Sequence, residues 1–266
     1  MATYLDSILA AHRRRAADDV RSKDALEELV AGLPPPRGFS SALVARAAEH
    51  HEIAVIAEVK RRSPSRGDLA LDLDPAALAL EYARGGAACL SVLTDEEFFG
   101  GSIADLRAAR AAVQLPVLRK DFTVSFRDLY DARAMGADAV LLIVAALSDA
   151  ELAQFVALAA ALQLAALVEV HDEEELARAL DAGASLVGVN QRDLRTFDVD
   201  TDRAVRVGEA MPDRIVRIAE SGVKSSADVA RLYDAGFHGV LVGETLVTAA
   251  DPAEALADLR SRRVAS

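Results

Sequence analysis

Apolar residues along the chain follow two alternating rhythms. Short runs rich in Leu, Val and Ile recur at 53–59, 88–93, 116–119, 139–145, 165–170, 186–190, 214–219 and 239–243. Between them lie alanine-rich segments at 75–84, 102–112, 125–135, 149–162, 172–182, 200–210, 225–235 and 252–261, whose apolar residues recur at helical spacing. The pattern predicts eight strands alternating with eight helices. ARGGAAC, AMGADAV, DAGASLV and DAGFHGV share one junction, a glycine that ends a helix shortly before the next strand, as C-capping requires. The strands are nearly continuous apolar runs, which suits a parallel sheet covered on both faces. Eight such units predict an α/β fold, a (β/α)8 TIM barrel. An open doubly wound sheet is the alternative, but no G-x-G-x-x-G follows the first strand.

Residues 1–50 precede the first strand: an amphipathic helix near 4–20, the turn GLPPPRG at 32–38 and a helix near 40–50. They are expected to form a helical N-terminal extension packed on the barrel, so that 1–266 is one domain. The start carries charges from Asp6 onward and lacks a secretory pattern, which points to the cytoplasm. LAQFVALAAALQLAALVEV, 152–170, is uncharged until Glu169, yet it is short for a span and contains Gln154 and Gln163. A buried helix running into a buried strand is expected instead, with no membrane partner.

Composition narrows the chemistry. At 266 residues and 52% hydrophobic the chain can bury one large core, and a net charge of −12 argues against nucleic acid. The single cysteine, Cys89, has no neighbours at metal spacing and reads as a small core residue.

Against that apolar background, IAVIAEVKRRSPSRG at 53–67 ends in a burst of charge. In barrels of this kind chemistry sits where strands end, and alternate residues of a strand point inward. Glu58 and Lys60 therefore share a face. The same test finds Lys120 in PVLRKDF, Glu169 in LVEVH, Asn190 and Arg192 in GVNQRDL, and Ser221 in IAESG. Any one of these could be a solvated loop residue; the set predicts a polar rim of acids and bases that tune one another. Gly222 in ESGV and Gly243 in LVGE follow the seventh and eighth strands, where many barrels bind phosphate through backbone N–H groups.

EVKRRSPSRGDL, LTDEEFFGGS, PVLRKDF, GADAVLLI, LVEVHDEEEL, GVNQRDLRTFDVD, ESGV and GVLVGETLV occur in the order and spacing of the indole-3-glycerol-phosphate synthases. The chain resembles that family from about residue 53 to 260, and in its N-terminal extension. The resemblance implies a lyase of tryptophan biosynthesis that closes 1-(2-carboxyphenylamino)-1-deoxyribulose 5-phosphate into indole-3-glycerol phosphate, losing carbon dioxide and water. It implies Lys120 as general acid for ring closure, Glu169 as the later base, Lys60 on the substrate carboxylate or donating a proton during dehydration, Glu58 orienting Lys60 or assisting proton transfer, and Asn190 on a hydroxyl or carboxylate. Ser63, Arg192 and Ser221 are implied to hold anionic groups, with Gly222, Gly243 and the N–H of Glu244 around the phosphate. Phe99, Phe122, Leu141 and Leu194 are implied to enclose the aromatic ring. Three features depart from the family: Arg62 stands where many relatives have a small residue, Glu244 where some have a hydroxyl, and the absence of tryptophan means that an aromatic contact from the extension must use another residue, such as Tyr4.

The partner is thus a small phosphosugar. No cofactor or metal is expected, because the reaction moves no electrons or hydride and the five histidines show no ligand spacing. A monomer is expected, with weak association with other tryptophan-pathway enzymes left open. Two readings compete: phosphoribosylanthranilate isomerase, whose Cys–Asp pair Cys89 is misplaced to supply, and a non-catalytic phosphate-binding barrel.

Overall fold

The computed structural model describes residues 4–261 apart from positions 51, 65, 194 and 195. Its centre is a closed barrel of eight parallel strands: β1 (Ala54–Val59), β2 (Cys89–Leu93), β3 (Val117–Lys120), β4 (Ala139–Ile143), β5 (Ala165–Val170), β6 (Leu186–Asn190), β7 (Val216–Glu220) and β8 (Gly239–Val242). Each strand pairs with the next, and β1 pairs with β8 to complete the ring. Strands β1, β2, β4, β6 and β8 are buried along their whole length, which explains why they read as unbroken apolar runs.

Three helices precede the barrel: α1 (Tyr4–Asp18), α2 (Lys23–Val30) and α3 (Phe39–His50). Those that follow are α4 (Pro75–Arg84), α5 (Glu96–Phe99), α6 (Ile103–Ala112), α7 (Phe126–Met135), α8 (Asp149–Ala161), α9 (Glu173–Asp181), α10 (Arg203–Glu209), α11 (Ser226–Asp234), α12 (Glu244–Val247) and α13 (Pro252–Arg260). Their boundaries are written in local chemistry. Ser125 with Asp128, Ser148 with Glu151 and Ser225 with Asp228 form reciprocal capping boxes that satisfy the first free N–H groups of α7, α8 and α11. At the other ends Gly86, Gly136, Gly183 and Gly236 take φ values of 86°, 95°, 87° and 81°, a left-handed conformation that lets the chain turn from helix into strand. The uncharged stretch 152–170 divides into most of α8 and all of β5. Among the described residues no helix is long and apolar enough to cross a membrane.

The extension touches both ends of the barrel. At the N-terminal end the GLPPPRG turn is fastened by buried Asp138, which accepts the Arg37 N–H at 2.7 Å and the Val117 N–H at 2.8 Å. The Arg37 guanidinium meanwhile donates to the carbonyls of Val113 and Leu115. At the opposite end α1 lies over the barrel mouth. Arg13 reaches Glu151 of α8, and His12 meets Asp95 at 2.9 Å.

Candidate active site

A cavity of about 790 Å³ opens at the C-terminal ends of the strands and is lined by residues from all eight strands, several of the following loops, and α1. Strand alternation carries Glu58, Lys120, Glu169 and Asn190 to its wall, with Lys60 just past β1. Glu58 is 4% exposed and its Oε1 meets Lys60 Nζ at 2.5 Å. Burial alone would raise the Glu58 carboxyl; the ammonium groups of Lys60 and Lys120 outweigh it and hold the group below its ordinary value. Lys120 shows the mirror image: burial opposes its charge, but Glu169, Glu220 and Glu58 surround it and raise it. The two charge types stabilise each other in a mouth too dry for either alone.

Glu169 Oε1 accepts the Asn190 side-chain amide at 3.1 Å, while Oε2, buried and without a hydrogen-bond partner, faces Lys120 Nζ at 3.9 Å. Asn190 is fixed in turn, because its Oδ1 accepts Ser221 Oγ at 2.9 Å and the Arg192 N–H at 3.0 Å. This chain of bonds leaves Oε2 as the carboxylate oxygen turned to the lysine.

One acid was not among the sequence candidates. Glu220, the last residue of β7, lines the same cavity and is 2% exposed, with Oε1 buried and unpartnered. Burial first, then the neighbouring Glu169 carboxylate, pushes it well above the usual carboxylate range. It fits because Gly188 on β6 has no side chain: a Cβ there would lie 2.0 Å from Glu220 Oε1. Alternation along β7, which pairs Ile218 with Glu220 as it pairs Ile56 with Glu58, is the signal that finds it.

The charges of the opening stretch separate by role. Lys60 turns into the cavity, while Arg61 pairs with Asp105 at 3.0 Å and donates to the carbonyls of Leu71 and Leu73. Arg62 donates to the backbone carbonyls of Glu96 and Glu97 in α5. Arg66 spans the mouth to Glu244 at 2.7 Å. Ser63, Arg192, Ser221, Gly222, Gly243 and Glu244 all line the cavity, as do Phe99 and Phe122. Tyr4, Leu5 and Ile8 of α1 complete the wall, Tyr4 packing edge-on against Phe98 and Phe197.

Leu141 is a correction: it is 1% exposed inside the barrel and does not reach the cavity, whose wall from β4 is Ile143, two residues further along. Alternation places both on one face, but only the strand end meets the cavity. Leu194 lies outside the described residues. Cys89 is fully buried on β2, donates to the Phe39 carbonyl and does not line the cavity; burial, with Asp138 nearby, raises its thiol.

Folding also gathers His12, Asp95 and Asp121, whose ligand-type atoms lie within 4.8 Å of one another, although no spacing in the sequence announces it. Both carboxylates already have partners. Asp95 Oδ1 caps α5 through the Phe98 N–H, and Asp121 Oδ2 takes Arg119 at 3.0 Å and the Thr94 hydroxyl. The cluster reads as the fastening of α1 to the barrel.

Gly243 carries a prediction of its own. A Cβ at this position would fall 2.3 Å from Glu58 Oε1 and 3.0 Å from Lys60 Nζ, so Gly243→Ala must displace the Glu58–Lys60 pair. Displacement of a positioned group costs rate steeply, and kcat is expected to fall about tenfold while the circular dichroism of the folded protein is retained. Unaltered kcat would mean that the pair is not needed where it stands.

A family model for indole-3-glycerol phosphate synthase matches residues 5–259. The chain belongs to the indole-3-glycerol phosphate synthase family. Relatives named indole-3-glycerol phosphate synthase include one from Kineococcus radiotolerans, 51% identical and covering 97% of this chain and 94% of that protein. One from Micrococcus luteus is 52% identical, covering 94% and 91%. The protein is therefore an enzyme of this family, and the TIM barrel is its fold. More distant solved structures share only that fold. They include a thiamine phosphate pyrophosphorylase from Pyrococcus furiosus (TM-score 0.58, 17% identity, covering 78% of this chain and 93% of that one). Another is an N-acetylmannosamine-6-phosphate 2-epimerase from Clostridium perfringens (TM-score 0.60, 12% identity, 81% and 93%).

Proposed function

We propose that the protein is a carboxy-lyase that converts 1-(2-carboxyphenylamino)-1-deoxyribulose 5-phosphate into indole-3-glycerol phosphate, in the cytoplasm and as a single barrel domain whose first 50 residues form an extension. The observation that carries this reading is the joint presence, in one cavity, of a lysine facing a carboxylate at 3.9 Å and a second lysine–carboxylate pair at 2.5 Å. Ring closure needs a proton delivered to the ribulose carbonyl oxygen while the aromatic carbon attacks; loss of carbon dioxide restores the aromatic ring, and dehydration then needs a base for the departing proton and an acid for the departing hydroxyl. Lys120 is the donor for the first step. Glu169, through Oε2, takes the later proton, and Glu220, which burial and the neighbouring carboxylate bias toward its protonated form, donates one to the departing hydroxyl.

Lys60 holds the substrate carboxylate and Glu58 orients Lys60. Asn190 holds a sugar hydroxyl, and Ser221, already linked to Asn190 Oδ1, takes the anionic groups together with Ser63 and Arg192. The backbone at Gly222, Gly243 and Glu244 cradles the phosphate. Phe99 and Phe122, 6.1 Å apart, enclose the aromatic ring, with Tyr4 above them on α1.

The test is direct. Purified protein incubated with the carboxyphenylamino deoxyribulose phosphate should generate indole fluorescence, with one carbon dioxide released per product, and EDTA should leave the rate unchanged. Unconsumed substrate would reject the reading. Activity lost on chelation and restored by a divalent ion would turn attention to His12, Asp95 and Asp121.

A further inference from the structure

We infer that His171 is a positioning residue for Glu169: it forms the centre of a Glu175–His171–Glu169 chain that holds the base with Oε2 turned to the cavity. The inference rests on the function proposed above and adds to it a residue that does not itself line the cavity.

The geometry begins at the start of α9. Asp172 caps that helix by accepting the Glu175 N–H at 2.8 Å, and the Glu175 side chain folds back so that Oε2 accepts the His171 backbone N–H at 2.8 Å. The same oxygen lies 3.0 Å from His171 Nδ1. A carboxylate on Nδ1 sets that nitrogen as the donor and fixes the plane of the ring. Nε2 is then aimed at Glu169 Oε1, 3.7 Å away, and is buried with no hydrogen-bond partner. Glu169 Oε1 thus has Asn190 on one side and the imidazole on the other, while Oε2 has neither.

The charges facing the ring come from three elements: Glu169 from β5, Glu175 from α9 and Arg203 from α10. Burial and Arg203 oppose a proton on the ring, and the two carboxylates favour it. The balance raises His171 above its ordinary value. A cation at this point offsets the crowding of Glu58, Glu169 and Glu220 around two lysines.

The experiment first reads the chain without requiring turnover. In the full-length protein the His171 ring protons are assigned by their loss in His171→Gln and titrated by NMR in the wild type, Glu169→Gln and Glu175→Gln. The His171 midpoint should fall in both variants, since each removes one carboxylate that favours the charged ring. In His171→Gln the acid limb of the kcat profile should move up by about one pH unit, so that kcat on that limb drops about tenfold while KM changes less. A His171 midpoint unchanged by Glu169→Gln, or a folded His171→Gln enzyme with the wild-type pH profile, overturns the inference. If the wild type yields no indole product, the proposed function fails, and the NMR titration still decides whether His171 and Glu169 are coupled.

Discussion

Replacing Lys120 with methionine is expected to lower kcat by about 10²–10⁴-fold, the usual contribution of a positioned acid, equivalent to about 3–5 kcal/mol of barrier. Methionine keeps the length and apolar bulk of the side chain while removing its proton and charge. KM should move less than kcat, because the groups assigned to the substrate carboxylate and phosphate lie on other strands. The charge matters beyond the proton. Lys120 is the cation common to Glu169, Glu220 and Glu58, so its loss leaves three carboxyl groups around a smaller positive charge, and Glu58 should move up toward its ordinary value. The near-ultraviolet circular dichroism of the variant, compared with wild type, separates a chemical defect from a collapsed site. In a single turnover the variant should retain intact substrate, since the first bond does not form. Near-normal turnover would transfer the role of acid to Lys60, which already touches Glu58.

The charged and amide residues at the strand ends were legible in the sequence because two periodicities coincide. Helical spacing and left-handed glycines mark the units of the barrel, and within a strand the period of two decides which side chains face its interior. Glu58, Lys120, Glu169 and Asn190 follow from that alone. The rest depended on neighbours that no single strand reveals. Glu220 occupies space left by Gly188 on the adjacent strand, a relation set by register between β6 and β7. His12 meets Asp95 across 83 residues, and Arg66 meets Glu244 across 178. Leu141 and Ile143 share a face, but depth along the strand, which alternation does not encode, separates core from cavity wall. The short helices α2, α5 and α12 escaped for a different reason. A helix of four to eight residues spans too few turns to show a period, and it persists only because the barrel holds it.

Glu169→Gln should also reduce kcat by about 10²–10⁴-fold, but at a later point in the reaction. Glutamine preserves the shape and can still accept the Asn190 amide through its carbonyl oxygen, so Asn190, Ser221 and Arg192 keep their arrangement. What disappears is the basic oxygen at Oε2 and the negative charge facing Lys120. The lysine can still donate to the carbonyl, so the carbon–carbon bond forms and the carboxyl group departs as carbon dioxide. The proton that must then leave finds no acceptor. Rapid-quench single turnovers should therefore show carbon dioxide released ahead of indole formation, with an intermediate that absorbs unlike either substrate or product. Lys120→Met should show neither. Glu220 supplies the control, because its elevated value derives partly from the Glu169 charge: in Glu169→Gln the group should titrate lower and so be ionised, and able to accept a proton, from a lower pH than in the wild type. Partial rescue at high pH that vanishes in the double variant with Glu220→Gln would identify Glu220 as the substitute acceptor. Simultaneous loss of carbon dioxide release and indole formation in Glu169→Gln alone would instead place Glu169 at or before ring closure, and the order of acid and base proposed for this site would have to be reversed.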